Sequence, residues 1–300
     1  MRAGDHADSL DRATKEFIAA RPQLFGIAYR VIGSAVEAED VVQEAWVRWQ
    51  NTDRADVQEP AAFLATVTVR LAINFTRSAR VRRESYVGLW LPEPVDTSTD
   101  PQLGAVRAEA LDLAVLFLLE KLNPVERAAY VLREAFDYTY RRIADIVETS
   151  EANARQLVSR ARKRLAAERR EPVGSAEHRR FLEVFLAAAQ QGDPAVLEEV
   201  LTEDVVSYSD GGGVRGASRI PVSGLPHVSR YLVAFAPRFW PRARVRWVEA
   251  NGRPAVLVSA AGSGDPVALL SADVSARGIE RLLWVMNPAK LVPYVASLEG

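Results

Sequence analysis

The sequence predicts a multidomain fold in which two all-α regions are followed by an α+β domain. In residues 14–83 and 110–168, apolar side chains recur at the three- and four-residue spacing of amphipathic helices. The second region ends in a short helix, a polar turn and another helix, the pattern of a helix-turn-helix. After Gly211 the pattern changes to short apolar strands separated by turns. Helices followed by an antiparallel sheet predict an α+β domain at the C-terminal end.

Length and composition exclude several classes of site. A chain of 300 residues accommodates about two or three domains. It has no cysteine, which excludes a disulfide framework, a thiol nucleophile and a thiolate metal site. Its three histidines, His6, His178 and His227, are scattered without the spacing of metal ligands. We therefore expect no metal and no cofactor.

The apolar segments predict a cytoplasmic protein. Residues 1–8 contain no apolar run, so no signal peptide is expected. The densest apolar run, Leu113–Leu119, is too short to span a bilayer. We accordingly expect no membrane partner.

The charges are segregated along the chain although the formal net charge is only −1. Residues 35–59 are mainly acidic, with only Arg48 and Arg54 as cations. Residues 69–83 carry five arginines and no acid. This segregation favours an acidic face for a protein partner and basic faces for nucleic acid.

The first helical domain is predicted at residues 10–84. A Gly33-Ser34 break separates its first two helices, and Pro60 suits the first turn of the third. The inward-facing residues are Phe17, Leu24, Phe25, Ala28 and Val31, then Val41, Val42, Ala45, Trp46 and Trp49, then Phe63, Leu64, Val67, Leu71 and Phe75. A proline-containing linker is expected at 85–109.

The second helical domain, residues 110–170, ends in the most informative segment, residues 140–165. Ser150 is predicted to cap a helix that carries one apolar stripe. Asn, Gln and Arg side chains early on such a helix can bond to base edges, and later basic residues can meet phosphates. The pattern predicts a DNA-reading helix, and the alternative is a surface helix with a solvated charged face.

The α+β domain is predicted at residues 176–295. A helix at 178–191 and a short one opened by Asp193-Pro194 precede four strands near 245–248, 255–260, 267–274 and 279–285. The turns between these strands are expected at Asn251-Gly252, Gly264-Asp265 and Arg277-Gly278. Thirteen basic and thirteen acidic residues balance over 175–300, so this domain is not an obvious DNA binder.

Three ordered motifs resemble extracytoplasmic-function (ECF) sigma factors of RNA polymerase. Residues 37–49, EAEDVVQEAWVRW, resemble the helix that docks on the polymerase β′ clamp. Residues 60–80 resemble the helix over the promoter −10 element. Residues 122–146, with 140–165, resemble the domain that reads the −35 element. The resemblance covers residues 14–168 and implies core RNA polymerase, through its β′ clamp and β flap, and promoter DNA as partners.

The resemblance, together with side-chain chemistry, indicates three sets of contacts. Polymerase contacts are expected from Asp40, Gln43, Glu44 and Trp46. Contacts to −10 DNA are expected from Arg70, Asn74, Arg77 and Arg80. Contacts to −35 DNA are expected from Arg141, Arg142, Arg155, Gln156, Ser159 and Arg160. Core packing is the alternative role for Trp46 and Trp49, and we expect it for at least one of them.

Three further motifs are similar to signatures of an ECF subgroup with a SnoaL-like (nuclear transport factor 2-like) cone-shaped extension. We expect regulatory contacts between this extension and the sigma portion from Trp90, Leu91, Pro92, Glu93, Pro94, Asp210, Gly211, Gly212, Gly213, Asn287, Pro288, Lys290 and Leu291. The chain departs from the signatures at Val214, where lysine is usual, and at Ala289, where aspartate is usual. Arg215 is a candidate replacement for the lost cation. A stiff spacer, a glycine turn and a strand end are the structural alternatives for the three motifs.

The tail admits three roles. The resemblance implies a fused regulator of the sigma portion. A second role is binding a small molecule among Tyr208, Phe235, Phe239, Trp240, Trp247 and Trp284. Catalysis is the third, but its acids and histidines show no pairing, so we do not expect an enzyme. The alternative for the whole chain is a ligand-sensing helix-turn-helix repressor that acts without polymerase.

Overall fold

The computed structural model describes residues 3–54, 57–83, 86–98, 112–168, 171–214 and 216–299. The chain divides into two compact units. The first contains residues up to Arg82 and Leu118–Glu168, and the second contains Arg83–Asp100, Leu111–Phe117 and Arg169–Gly300. The α+β unit therefore includes much of the segment expected to be a linker.

The first unit is helical. Its helices in the described residues are α1 (Ala3–Ile32), α2 (Ala35–Gln50), α3 (Pro60–Arg83), α5 (Pro124–Phe136), α6 (Tyr140–Val147) and α7 (Glu151–Ala166). The predicted break after α1 is present, where Gly33 adopts φ +80°. Ser34 begins α2 by accepting a hydrogen bond from Glu37 N at 3.2 Å. The next helix along the chain, α4 (Leu113–Leu119), starts in the second unit and ends in the first.

Buried arginines join the helices of the first unit. The guanidinium of Arg127 is buried and donates to the carbonyl oxygen of Arg30 at 3.0 Å. Arg30 donates to Gly26 O at 2.9 Å and lies 5.2 Å from the Phe136 ring centre. Burial lowers the pKa of Arg30 to about 10. These contacts tie α1 to α5, because each buried cation finds carbonyl or aromatic partners.

The second unit contains one mixed sheet with strand order β2-β1-β6-β5-β4-β3. Its elements are α8 (Ser175–Gln191), α9 (Pro194–Val200), β1 (Leu201–Asp210), β2 (Val222–Ser223), α10 (Leu225–Phe239), a short helix (Trp240–Arg242), β3 (Ala243–Ala250), β4 (Arg253–Ala260), β5 (Pro266–Ser275), β6 (Gly278–Val285) and α11 (Pro288–Ser297). The α+β prediction is confirmed. The expectation of an antiparallel sheet is wrong at β1, which pairs parallel with β6.

Apolar side chains cover both faces of this sheet. On one face, α8, α9 and α10 bury residues such as Phe185, Leu197 and Val228 against Val256 and Leu282. On the other face, Leu91, Leu113 and Phe117 pack with α11 against Leu257 and Leu283. Because neighbouring strand residues point to opposite faces, β1 and β6 contribute side chains to both layers.

Candidate DNA-binding, polymerase-binding and regulatory sites

Helix α7 buries its apolar stripe and exposes the side chains predicted to read the −35 element. The buried residues are Ala154, Leu157, Val158, Ala161 and Leu165, and the exposed ones are Arg155, Gln156, Ser159 and Arg160. Ser150 is the N-cap, as predicted, and its side chain accepts a hydrogen bond from Asn153 N at 3.2 Å. The helix is therefore fixed by its apolar side, and its polar side is free to meet a partner.

Acidic residues partly neutralise this basic surface. Arg155 pairs with Glu151 at 2.5 Å and lies 4.6 Å from the Tyr140 ring centre. Arg160 and Arg164 lie 3.4 Å and 2.9 Å from the carboxylate of Glu126, which is buried. An incoming phosphate would have to compete with these carboxylates for the guanidinium groups.

Two arginines predicted to contact DNA join α3 to the helix-turn-helix in this structure. Arg142 donates to the Ala62 carbonyl at 2.7 Å and to Thr66 Oγ1 at 3.1 Å. Arg70 donates to the Ile146 carbonyl at 3.0 Å and to the Asp145 carbonyl at 3.1 Å. Its guanidinium also lies 3.1 Å from Glu148 in the turn between α6 and α7.

The other predicted DNA contacts have different surroundings. Arg141 is exposed on α6, and Asn74 and Arg77 are exposed on α3. The side chain of Arg80 lies outside the described residues. Among the described residues predicted to contact DNA, Arg70 and Arg142 are thus the ones that bond to backbone carbonyls.

Helix α2 presents the predicted polymerase contacts on its outer side. Asp40, Gln43 and Glu44 are exposed, while Trp46 is half-buried with its ring centre 4.8 Å from that of Phe17. Trp49 is fully buried and donates from Nε1 to the Ala13 carbonyl at 3.1 Å. The core role expected for at least one of the two tryptophans is confirmed at Trp49.

The three tail-related motifs meet in the second unit. A segment that we call the strap, residues 86–98, lies on the sheet face that also carries α11. The carboxylate of Asp210, at the end of β1, accepts a hydrogen bond from Leu91 N at 2.9 Å. Lys290 Nζ lies 2.7 Å from the same carboxylate and also donates to the Leu91 carbonyl. Lys290 Nζ also lies 4.0 Å from the Trp90 ring centre.

Tyr86 completes this cluster, and the motif comparison missed it. Its hydroxyl donates to Asp210 and accepts a hydrogen bond from Asn287 Nδ2 at 2.8 Å. Burial, together with the Asp210 carboxylate, raises the pKa of Tyr86 well above its ordinary value, which keeps the hydroxyl protonated. Nothing in the spacing of the chain could indicate a partner more than a hundred residues away.

The glycine motif follows Asp210 directly. Gly212 adopts φ +54°, and a Cβ there would lie 2.7 Å from Asn287 Cγ. A side chain at this position would therefore displace the asparagine from Tyr86. Gly211 is also constrained, since its Cβ would lie 2.4 Å from Ala217 Cβ, whereas Gly213 has open space around it.

The remaining motif residues differ in burial. Leu91, Pro92, Pro94 and Leu291 are buried, and Glu93 is half-buried. Pro288 is exposed at the first turn of α11, whose N-cap is Asn287. The alternative of a strand end for this motif is therefore incomplete, because a helix begins there. Val214 and Ala289 are exposed, and Arg215 lies outside the described residues.

Further contacts fix both ends of the strap region. Val95 and Asn251 exchange hydrogen bonds at 2.9 Å and 3.2 Å. Thr97 donates to Glu249 at 2.7 Å. Beyond the strap, Arg253 lies 3.2 Å from Asp112, directly before α4. The second unit therefore holds the chain on both sides of residues 99–111.

The aromatic residues considered for a ligand pocket divide between two sites. Phe235, Phe239, Trp240 and Trp284 line a cavity in the second unit. The prediction was wrong for Tyr208, which packs on the opposite sheet face with its ring centre 4.7 Å from that of Phe117. It was also wrong for Trp247, which lies outside the cavity, 4.5 Å from the guanidinium carbon of Arg179.

Two searches of the described residues bear on other functions. No cluster of three or more histidines or acids there has an arrangement that could hold a metal ion. Within the same residues, no helix combines the length and apolar character that a membrane crossing requires.

Comparison with known proteins identifies the family. The model of Sigma-70 region 2 matches residues 17–82, and that of Sigma-70 region 4 matches residues 112–165. The chain is 39% identical over 231 residues to the ECF RNA polymerase sigma factor SigJ of Mycobacterium tuberculosis, covering 75% of this chain and 74% of the relative. It is 31% identical to the probable ECF RNA polymerase sigma factor SigI of the same species, over 97% of this chain and 98% of the relative.

The similarity extends to a solved structure. The crystal structure of M. tuberculosis SigJ superposes with a TM-score of 0.76 at 31% identity, and the match covers 93% of this chain and 98% of that one. The match includes the α+β tail as well as the helical regions, so the expected SnoaL-like extension is confirmed. These matches do not favour the repressor alternative. The chain belongs to the ECF RNA polymerase sigma factors.

Proposed function

We propose that this chain binds core RNA polymerase, recognises the −35 and −10 promoter elements and initiates transcription, and that its fused tail sets its activity. The observation that carries the proposal is the division of α7 into a buried apolar stripe and an exposed polar face. A helix held in this way can present side chains to a DNA major groove without losing its own packing. The chain would work in the cytoplasm, where core polymerase and promoter DNA are found, and without catalysis of its own.

Helix α7 would read the −35 element. Gln156 has the amide needed for paired hydrogen bonds to an adenine edge, and Arg155 and Arg160 suit guanine or phosphate. Their exposure supports this role. Lys163 and Arg164 lie in the last turn of α7, where contact with the phosphate backbone is the expected role.

Helix α3 would contact the −10 element. Asn74 and Arg77 are exposed on neighbouring turns, so both can face the same nucleic acid strand. Arg70 can join them only if it leaves the Ile146 and Asp145 carbonyls. We therefore propose that promoter binding separates α3 from the helix-turn-helix turn.

Helix α2 would bind polymerase. Asp40, Gln43 and Glu44 form an exposed polar row over a fully apolar underside. Their charge suits a basic surface, which we propose to be the β′ clamp, while the helix-turn-helix domain would meet the β flap. Trp46 is half-buried and can supply an apolar anchor at the edge of that row.

The tail would regulate through the strap. Asp210, Lys290 and Asn287 hold the segment that joins the two sigma regions, so docking of the strap fixes the positions from which these regions depart. Release of the strap would lengthen the free linker and change how both regions can engage a promoter.

A transcription experiment tests the proposal. The full chain is combined with bacterial core RNA polymerase and a promoter library randomised at both elements, and transcribed sequences are recovered. We expect enrichment of paired elements, and Gln156→Ala should relax selection at one −35 position while Lys163→Ala weakens binding evenly. Failure to bind core polymerase, or recovery of two-fold symmetric sites without polymerase, would contradict it.

The regulatory part needs its own comparison. Lys290→Met should change the transcript yield from a selected promoter, because it loosens the strap without touching α2, α3 or α7. Arg179→Met, which breaks an exposed pair in the same unit, is the matched control. Equal yields from all three proteins would contradict regulation and leave promoter recognition standing.

A further inference from the structure

A cavity in the second unit lies between α10 and the ends of β1 and β6. It encloses about 390 Å³ of empty space, part of it open to solvent. This volume lies in the range of small-molecule sites. Its walls are mostly aromatic, from Tyr231, Phe235, Phe239, Trp240 and Trp284.

The aromatic walls define the shape of a ligand. The ring centres of Tyr231 and Phe235 lie 6.0 Å apart and nearly parallel, and Phe239 follows at 5.4 Å. Trp284 meets Phe239 edge-on, at an interplanar angle of 90° and a distance of 6.4 Å. Rings in these arrangements favour a flat partner that can stack on one ring and meet the edge of another.

Two buried polar groups on the sheet side of this region lack partners. Among the described residues, neither Trp284 Nε1 nor Ser207 Oγ has a hydrogen-bond partner, and both residues are more than nine-tenths buried. Ser207 precedes by two residues Ser209, which lines the cavity, so the two share one face of β1. A buried indole N–H without an acceptor is rare in folded proteins. A hydrogen-bond acceptor on a ligand would satisfy it.

Charge restricts the ligand further. Every residue that lines the cavity is uncharged. A carboxylate or an ammonium group placed there would lose its hydration without gaining a counter-ion. The site therefore favours a neutral molecule.

We propose that this cavity binds a neutral, planar, largely apolar small molecule that carries a hydrogen-bond acceptor, and that this molecule acts on the strap. The second part rests on the regulatory function proposed above, whereas the binding does not. Neighbouring residues of the same two strands serve both places. Ser209 and Met286 line the cavity, and Met286 N donates at 2.7 Å to the carbonyl of Asp210, whose carboxylate holds the strap.

Binding is tested on the full chain with prodan, a neutral planar naphthalene ketone whose emission shifts to the blue in apolar surroundings. We expect saturable binding of one molecule per chain. Trp284→Phe keeps a ring but removes the N–H, and should weaken binding about fivefold to tenfold. Ser209→Leu fills the cavity and should abolish binding. Trp247→Phe is the matched control, because Trp247 lies outside the cavity, and it should bind like the original protein.

Charge selectivity and the effect on the strap are measured separately. Naphthoate, which is flat but anionic, should not compete with prodan. Hydrogen exchange of peptides that cover residues 86–98 should slow when prodan is bound, because the ends of β1 and β6 are then held more firmly. No saturable binding, or binding that survives Ser209→Leu, would overturn the proposed site. Binding without a change in exchange would overturn only the action on the strap, and neither result depends on polymerase or DNA.

Discussion

Lys290 Nζ lies 2.7 Å from Asp210 Oδ2, and the two side chains are 5% and 0% exposed. The pair joins the first turn of α11 to the end of β1, and both partners also bond to Leu91 of the strap. Since the strap connects the two sigma regions in sequence, one buried ion pair controls whether that connection is docked.

Breaking this pair should destabilise the second unit. Lys290→Met leaves Asp210 as a buried carboxylate without its cation, and we expect a loss of roughly 3–5 kcal/mol in the free energy of unfolding. The loss should be toward the low end, because Tyr86 and Leu91 still donate to Asp210. Urea unfolding followed by tryptophan fluorescence measures it.

The double variant Lys290→Met with Asp210→Asn distinguishes an ion pair from simple packing. It should lose less than the sum of the two single changes, because neither charge is then left unpaired. Arg179→Met, in an exposed pair with Glu183, should change stability by less than about 0.5 kcal/mol. Strict additivity of the two buried changes would contradict the coupling described here.

Local signals predicted much of this fold. The cap at Ser150, the glycine break at Gly33 and the turn at Asn251-Gly252 are all present, and the last two carry positive φ values. Each depends on residues within a few positions of one another, so short-range spacing is sufficient to predict it. The stripe of α7 succeeded for the same reason.

Elements that depend on distant partners were not predicted. Strand β1 contains Glu203, Asp204 and two serines, and it pairs in parallel with β6 some seventy residues later. Helix α10 carries prolines at 226 and 237 within its span, which disguise its helical spacing. The same limit applies to the strap, because the side-chain partners of Asp210 are Tyr86, Leu91 and Lys290, each far away in sequence.

Adjacent arginines on α6 should behave differently. Arg142→Ala removes the hydrogen bonds to Ala62 and Thr66, and should lower the free energy of unfolding by about 1–3 kcal/mol. Arg141→Ala should leave stability within about 0.5 kcal/mol, because Arg141 is exposed. If Arg141 contacts a phosphate, its loss should also reduce the salt dependence of promoter binding by about one ion. Thermal unfolding and binding at several salt concentrations separate the two effects, and equal behaviour of both variants would contradict this assignment.

Removal of residues 175–300 should leave a protein that associates with itself. Leu91, Leu113 and Phe117 are buried on the sheet face that this deletion takes away. Exposing each costs about 1.5–3 kcal/mol in lost burial, and the exposed side chains can recover it by self-association. Size-exclusion chromatography with light scattering should show oligomers for residues 1–174. Replacing Leu91 and Phe117 with serine in that shortened chain should restore a monomer, and a monomeric shortened chain without these changes would contradict the prediction.

Two buried groups of the second unit should oppose each other in the pH dependence of stability. Burial, followed by the charge of Arg253, lowers the pKa of His178 to about 4. Burial raises the pKa of Asp273 to about 6, although Arg281, 2.7 Å away, acts in the opposite direction. Asp112 and Glu280 also raise the pKa of Asp273.

The signs follow from proton binding in the two states. As the pH falls from about 6.5 toward 4, the unfolded chain protonates His178 before the folded chain does, so this residue lowers stability. As the pH falls from about 6 toward 3.8, the folded chain protonates Asp273 first, so this residue raises stability. His178→Gln should therefore make the protein relatively more stable on acidification than the original, and Asp273→Asn relatively less stable. Urea unfolding at pH values from about 4 to 7 gives both differences, and parallel stability curves for the three proteins would contradict the assignment of these titrations.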